Sequence, residues 1–208
     1  MRIDALKNAP DRAGRYWVTF SDGSRLGLYR QTVEDFGLYP GRELEDSEFE
    51  RLGVEAGKMS AKMRAVRIVS AASVSKRDLE QRLVRKGEDP EQAKAAVLWM
   101  EDLHLVDDRA TAEQVVHSCI AKGYGLQRAK QALYEKQIPK AYWEEALTDY
   151  PDQTDKIQDF LRSKLDADSD ERQKKRAIDA LIRRGHSYSA IKKALESLSF
   201  DCEDYFED

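Results

Sequence analysis

The chain has 208 residues, of which 36% are charged and 41% hydrophobic, and its mean hydropathy of −0.72 is typical of a water-soluble chain with enough apolar residues for a core. Its longest unbroken apolar run, Ala95 to Met100, has six residues, against about 20 in a helix that crosses a bilayer, so we expect no membrane span and no membrane partner. The first thirty residues are rich in charge, and the two cysteines, Cys119 and Cys202, lie far apart; we therefore expect no export, no disulfide framework and a cytoplasmic location.

Strand signals come first along the chain. Tyr16 to Phe20 is rich in β-branched and aromatic residues, and Leu26 to Tyr29 follows after Asp22-Gly23. Asp-Gly tolerates the positive φ angles of a hairpin turn. We therefore predict a β-hairpin here, to which Arg2 to Leu6 adds a third short strand.

Helical signals follow the hairpin. The pattern predicts a short helix over 31–36, ended by Gly37, and a second helix that is capped by Asp46 or Ser47 and runs through Val54. From residue 58 onward, apolar residues recur at spacings of three and four, which is the period of amphipathic helices.

A tight turn between two helices is predicted at Gly87-Glu88-Asp89-Pro90. Gly87 suits a helix C-terminus, Asp89 can accept hydrogen bonds from the free amides of the next helix, and Pro90 occupies its first turn without losing a bond. Gln92 is expected to complete a capping box.

The same helical pattern recurs at a spacing of about fifty residues. Segments 75–97, 125–147 and 173–195 align, so that Leu83, Leu133 and Leu181 coincide, and the turn positions Gly87, Gln137 and Gly185 coincide as well. Each copy is preceded by another amphipathic segment. The alignment therefore predicts three tandem three-helix units, which should stack into an elongated, curved array.

The predicted fold class is thus mainly α, with a small N-terminal extension that contains the β-hairpin. The predicted domains are an N-terminal β/α extension at 1–57, three-helix repeats at 58–106, 107–150 and 151–198, and an acidic tail at 199–208. The tail holds five acidic residues and no basic one, so the net charge of −4 conceals basic surfaces in the first and third repeats.

These segments resemble the RecX family, the bacterial modulators of the RecA recombinase. The likeness lies in the three aligned units, in LHLVDDRATAEQVV at 103–116, in KGYG at 122–125 and in RRGHSYSAIKKAL at 183–195. Residues 1–57 resemble an extension that some members carry. One position departs from the family pattern, because Thr111 stands before Ala112 where a phenylalanine is usual.

The resemblance implies a monomeric, non-enzymatic regulator that binds the RecA filament and its DNA, and that hinders filament growth or ATP turnover. Single-stranded DNA is the expected nucleic acid, with double-stranded DNA as a further candidate, and neither is expected to be bound with sequence specificity. Inhibition is the expected effect, and assistance of the recombinase stays open.

The residues themselves indicate no catalytic centre and no cofactor. Gly123-Tyr124-Gly125 lacks the third glycine of a dinucleotide-binding loop, and His117 and Cys119 fall on different sides of a helix, so no metal site is expected. Asp107-Asp108 is better explained by helix capping than by catalysis. Four aromatic residues, Trp99, Trp143, Tyr134 and Tyr142, are expected in the core.

Basic residues on the predicted helices are the candidates for binding the phosphate backbone or the filament. In the first repeat they are Lys76, Arg77, Arg82, Arg85 and Lys86; in the second they are Arg128 and Lys130; and in the third they are Arg172, Lys175, Arg176, Arg183, Arg184, Lys192 and Lys193. Arg172, Arg176 and Arg183 should share one side of a helix, opposite Ala177, Ile178 and Leu181.

Two other kinds of function remain open from the sequence. A helical transcription factor would aim a recognition helix at base edges, usually as a symmetric dimer. A protein-binding scaffold would use the same repeats without affinity for nucleic acid. Salt-dependent binding to single-stranded DNA of arbitrary sequence separates these possibilities.

Overall fold

The computed structural model describes residues 1–166 and 169–198. Over these residues the chain is mainly helical with a three-stranded antiparallel sheet at its N-terminal end, which confirms the predicted class. The chain divides into two compact units, Met1–Val106 and Asp107–Asp208. The acidic tail at 199–208 lies outside the described residues.

The sheet of the first unit has the order β1 (Ile3–Leu6), β2 (Arg15–Phe20) and β3 (Arg25–Tyr29). Strands β2 and β3 form the predicted hairpin, in which Val18 pairs with Leu26, and Gly23 adopts a φ of 82° in the turn. Strand β1 pairs with β2 and confirms the expected third strand.

Four helices complete the first unit: α1 (Arg30–Asp35), α2 (Asp46–Ala71), α3 (Lys76–Arg85) and α4 (Pro90–Asp102). The first half of α2 buries Leu52 and Ala56 against the core face of the sheet. Its second half buries Ala61 and Ala65 against α3 and α4. The same helix therefore contributes to both hydrophobic cores of the unit.

The continuity of α2 differs from the sequence prediction of one helix ending at Val54 and another segment starting near residue 58. No proline or turn sequence interrupts the chain there, and a Cβ atom at Gly57 would meet the flexible end of the Gln92 side chain of α4. The predicted boundary between residues 57 and 58 therefore lies inside α2. Gln92 does not complete the predicted capping box, whereas Asp89 caps α4 by accepting hydrogen bonds from the amides of Glu91 and Gln92.

The second unit begins with α5 (Asp108–Ala121) and α6 (Leu126–Glu135), followed by a 3-10 turn (Lys140–Tyr142) and the short α7 (Trp143–Leu147). The helices α8 (Thr154–Arg162), α9 (Glu171–Arg183) and α10 (Tyr188–Ser197) follow. Ile157, Ile178, Leu181 and Ile191 form part of the core that these last three helices share.

The three aligned turns have the same backbone structure, which supports the repeat. Gly87, Gln137 and Gly185 all have positive φ angles, of 89°, 56° and 85°. In each turn the amide one residue later donates to the carbonyl of the aligned leucine, at 3.1, 3.1 and 3.2 Å for Leu83, Leu133 and Leu181. This is the Schellman ending of a helix, in which the left-handed residue satisfies carbonyls that the helix leaves free. The shared geometry explains why glycine occupies two of the three positions.

Among the aromatic residues expected in the core, Tyr134 is an exception. Its side chain is 67% exposed, because it follows the buried Leu133 by one residue and therefore lies about 100° around the helix from it. Trp143 and Tyr142 do pack against the core of α5 and α6, and the Trp143 indole donates to the carbonyl of Ile138 at 3.0 Å. Trp99 packs against the core of the first unit.

Candidate nucleic-acid interface

The cations predicted for binding lie in both compact units, five in the first and nine in the second. The predicted cations are therefore divided between the two units and do not all lie in one of them. What distinguishes one group from another is how far neighbouring carboxylates neutralise it, because an anionic partner must compete with those carboxylates.

The cations of α3 are largely paired. Lys76 contacts the carboxylate of Glu101 at 2.7 Å, and Arg82 donates to Asp78 at 2.8 Å, while Arg85 lies 4.0 Å from the same carboxylate. Arg77 and Lys86 are exposed and have no ion pair with the residues that the structure describes.

The second repeat offers less positive charge than its sequence indicates. Arg128 forms a salt bridge with Glu135 at 2.9 Å, and this hydrogen bond lowers the pKa of Glu135 while it raises the pKa of Arg128. Lys130 is half-buried. Neither residue presents an exposed, unpaired cation.

The third repeat carries the group that is least neutralised. Its exposed members have no salt bridge to any carboxylate within residues 1–166 and 169–198: Arg172, Lys175, Arg176, Arg183 and Lys193. Lys192 is half-buried on α10. An anion that approaches any one of these side chains therefore meets a cation that forms no salt bridge with the carboxylates of residues 1–166 and 169–198.

Arg172, Arg176 and Arg183 form a stripe along α9, which we call the α9 stripe. Residues 172, 176 and 183 recur at spacings of four and seven, so they share one helix face, while Ala177, Ile178 and Leu181 are buried on the other side. This arrangement agrees with the sequence prediction. Asp179 is exposed within the same stripe and reduces its positive charge, a feature that the sequence analysis overlooked.

A shallow pocket of about 260 Å³ adjoins the α9 stripe. Phe160 and Lys164 line it from the α8 side, and Gln173, Arg176, Ala177 and Ala180 line it from α9. The guanidinium of Arg184 lies 4.4 Å from the centre of the Phe160 ring, which is a cation–π contact. Arg184 is thus partly engaged within the protein, whereas Arg176 reaches from the stripe into the pocket.

Several residues of these surfaces were missed by sequence reasoning. Phe160 lies in the last turn of α8 and Lys164 in the turn that follows the helix, and both line the pocket. Arg64 and Arg67 of α2 line a basic groove of the first unit together with Arg82 and Lys86. Their spacing of three within one predicted helical segment was the signal, because residues three apart share a helix face.

The residues that could take part in catalysis or metal binding have structural explanations or are unsuited to these roles. Asp107 caps α5 by accepting from the amides of Arg109 and Ala110, which confirms the capping interpretation of the aspartate pair. Burial raises the pKa of the Cys119 thiol, which disfavours the reactive thiolate. Within residues 1–166 and 169–198, no group of histidine, cysteine and acidic residues is suited to a metal ion. In that same part of the chain, no helix combines the length and apolarity that spanning a membrane requires.

Known proteins resemble this chain in sequence and in fold. A family model described as the second three-helix domain of RecX matches residues 107–147. The regulatory protein RecX of Clostridioides difficile is 24% identical over 96% of this chain and 96% of its own length. The regulatory protein RecX of Chlorobaculum tepidum is 30% identical, over 68% of this chain and 90% of its own length.

Two solved structures share the fold. A crystal structure of a regulatory protein RecX has a TM-score of 0.61 at 22% identity and covers 92% of this chain and 98% of its own. The crystal structure of RecX from Lactobacillus salivarius has a TM-score of 0.59 at 21% identity over 68% of this chain. Since the relative from Chlorobaculum tepidum is covered over nearly its full length and the second repeat matches the family model, the chain belongs to the RecX family of regulatory proteins.

Proposed function

We propose that this protein binds the RecA recombinase and its DNA filament, and that it inhibits ATP turnover and strand exchange by the filament. It acts through binding, without a reaction of its own, as a monomer in the cytoplasm. The proposal joins the resemblance to RecX with the charges of the third repeat, and it retains the division into three helical repeats.

The α9 stripe is the observation that carries the proposal. A row of arginines that form no salt bridge within residues 1–166 and 169–198 can follow a phosphate backbone and contact it without reading bases. A regulator of a filament that forms on DNA of any sequence requires contacts of this kind. The neighbouring pocket adds the side chain of Phe160 beside Arg176 and Lys164, and an aromatic side chain among cations suits an unpaired strand.

The test measures DNA-dependent ATP hydrolysis by the recombinase on single-stranded DNA, with this protein added at less than one molecule per recombinase subunit. Wild-type protein should suppress hydrolysis, since a repeat protein that caps a filament end or bridges subunits acts on many subunits at once. The triple variant Arg172→Ala, Arg176→Ala, Arg183→Ala should suppress it less.

The matched control removes three exposed cations from outside the predicted binding set, in the variant Arg12→Ala, Lys94→Ala, Lys140→Ala. This control should act as the wild type does. Unchanged hydrolysis with wild-type protein, under conditions in which filaments demonstrably form, contradicts the proposed inhibition. Equal suppression by both triple variants contradicts the role of the α9 stripe.

A further inference from the structure

The first unit has a basic groove that the sequence analysis did not predict. Of its cations, only Arg82 and Lys86 are among the predicted binding residues. The groove has a volume of about 350 Å³ and lies between the second half of α2 and the end of α3. Four cationic side chains line it, Arg64, Arg67, Arg82 and Lys86, and the remaining lining consists of Ile68, Ala71 and Ala72. We call this the α2–α3 groove. Among the residues that the structure describes, no carboxylate lines it.

Two of the four cations are held in place by carboxylates that do not line the groove. The buried carboxylate of Glu88 accepts from Nε of Arg64 at 2.5 Å and from the Ser60 hydroxyl at 3.0 Å. The Asp78 carboxylate, whose side chain is 10% exposed, accepts from Nε of Arg82 at 2.8 Å. Both bonds use Nε, so they fix the guanidinium planes while the terminal nitrogens remain for a ligand.

The hydrogen-bond partners of Arg67 are neutral groups and therefore do not offset its positive charge. Its Nη2 donates to the carbonyl of Ala13 at 2.5 Å and to the Tyr29 hydroxyl at 2.9 Å. Ala13 lies in the loop between β1 and β2, and Tyr29 ends β3. The N-terminal sheet therefore holds an exposed arginine at the groove through two hydrogen bonds, with Nε and Nη1 left over.

The lining indicates the chemistry of the ligand. Guanidinium groups in fixed orientations match the oxygens of a phosphate. Arg67, Ala71, Ala72 and Lys86 are exposed, so the groove is open to solvent and suits a chain that runs past it better than a small molecule that must be enclosed. The small side chains at residues 71 and 72 allow a backbone to approach.

We propose that the α2–α3 groove binds a phosphodiester group of single-stranded DNA, and that the N-terminal sheet positions Arg67 for this contact. The choice of DNA as the ligand rests on the proposed function. This gives the N-terminal β/α extension a role: it supplies the two acceptors that orient an arginine of α2. Arg67 is the contact residue, and Tyr29 is a positioning residue.

The test measures the affinity of the full chain for a fluorescein-labelled oligothymidylate across a range of salt concentrations, without recombinase. Arg67→Ala should weaken binding about threefold to tenfold at low salt and lower the slope of log affinity against log salt by about 0.7, the value for one phosphate contact on a single strand. Tyr29→Phe keeps every charge and should weaken binding about twofold to threefold, because it removes one hydrogen bond to Arg67. The control is Lys94→Ala, which removes an exposed cation on α4 and should leave both quantities unchanged.

An affinity and salt slope of Arg67→Ala equal to those of Lys94→Ala would overturn the phosphate assignment, as would wild-type protein without measurable DNA binding. Wild-type affinity in Tyr29→Phe overturns the positioning role of the sheet. If Arg67→Ala loses filament binding while its DNA affinity is unchanged, the groove takes a carboxylate of a protein surface instead, and the proposal fails. The recombinase assay tests the proposed function separately. If the protein inhibits the recombinase and its DNA binding does not depend on Arg67, only the groove proposal is refuted. If DNA binding depends on Arg67 but the protein does not inhibit the recombinase, only the proposed function is refuted.

Discussion

His186 occupies the turn between α9 and α10 and is 7% exposed. Its Nε2 lies 3.1 Å from the carbonyl of Gly123, and since a carbonyl only accepts, Nε2 carries the proton of the neutral ring. Burial lowers the pKa of His186, the carbonyl of Gly123 opposes this shift, and the positive charge of Arg184 adds to it. The imidazole is therefore held in its neutral form by the fold.

The lowered pKa of His186 predicts a loss of stability in mild acid. Above about pH 6.5 the ring is neutral in both the folded and the unfolded chain. As the pH falls below this value, the unfolded chain takes up the proton first, so the free energy of unfolding decreases until the folded ring is protonated too. Urea unfolding between about pH 7.5 and about pH 5 should show this decrease.

His186→Gln provides the comparison, because an amide can still donate to Gly123 but does not titrate. Its free energy of unfolding should depend less on pH than that of the wild type, whatever its value at neutral pH. Parallel pH curves for the two proteins would assign the acid sensitivity to other groups.

At the scale of elements, the second and third repeats are joined through their turns within the second unit. The amide of Gly125 donates to the carbonyl of Arg184 at 2.9 Å, and the amide of Gln127 donates to the carbonyl of Gly185 at 3.3 Å. A Cβ atom at Gly185 would overlap the backbone nitrogen of Arg128 and lie 2.9 Å from its Cα. The backbones approach so closely that a side chain has no space.

Gly185→Ala and Gly87→Ala form a matched pair that isolates this contact. Both glycines occupy the same Schellman position, with φ angles of 85° and 89°, but nothing lies within 4 Å of a Cβ atom at Gly87. Gly87→Ala should cost about 1–2 kcal/mol for the left-handed backbone alone. Gly185→Ala should cost about 1–3 kcal/mol more, because it adds overlap with a rigid backbone.

Amide hydrogen exchange in the native protein provides the measurement, since it reports the opening of each unit separately. Protection should fall moderately in α3 and α4 for Gly87→Ala, and strongly in α6 and α9 for Gly185→Ala. Equal losses of protection in the two variants would show that the close contact between the turns of the second and third repeats does not contribute to stability.

At the scale of the whole molecule, basic surfaces and an acidic tail are separated along the chain. Residues 199–208 hold five carboxylates and no cation, and they follow the third repeat directly. A short tether gives such a segment an effective concentration on the order of millimolar near the cations of that repeat. Each exposed contact contributes only about 0–1 kcal/mol and is screened by salt.

Deletion of residues 199–208 should therefore raise the affinity for single-stranded DNA about threefold at low salt and hardly change it at high salt. A second variant keeps the length and replaces the five acidic residues by Asn and Gln, which separates the effect of charge from that of the other tail residues. It should behave as the deletion does. Unchanged or reduced affinity at low salt in both folded variants would contradict the competition.

The sequence alone was sufficient for the local structure and the repeat. Asp22-Gly23 and Asp89-Pro90 determine their turns through the φ angles and caps that those residues prefer. Leu83, Leu133 and Leu181 coincide when the three segments are aligned, which reveals the repeat. The α9 stripe also follows from the sequence, since residues on one helix share a face by their spacing alone.

Only the tertiary structure decided which cations are neutralised and which surfaces are formed by several helices. Arg64 and Arg67 both lie on α2, yet only Arg64 donates to Glu88, which follows α3, and the pairing of Lys76 with Glu101 joins residues of α3 and α4. The α2–α3 groove is lined by residues of α2 and by Arg82 and Lys86 at the end of α3, so it exists only because these two elements pack side by side. Spacing along a helix predicts neighbours on that helix, whereas contacts between helices depend on how the cores pack.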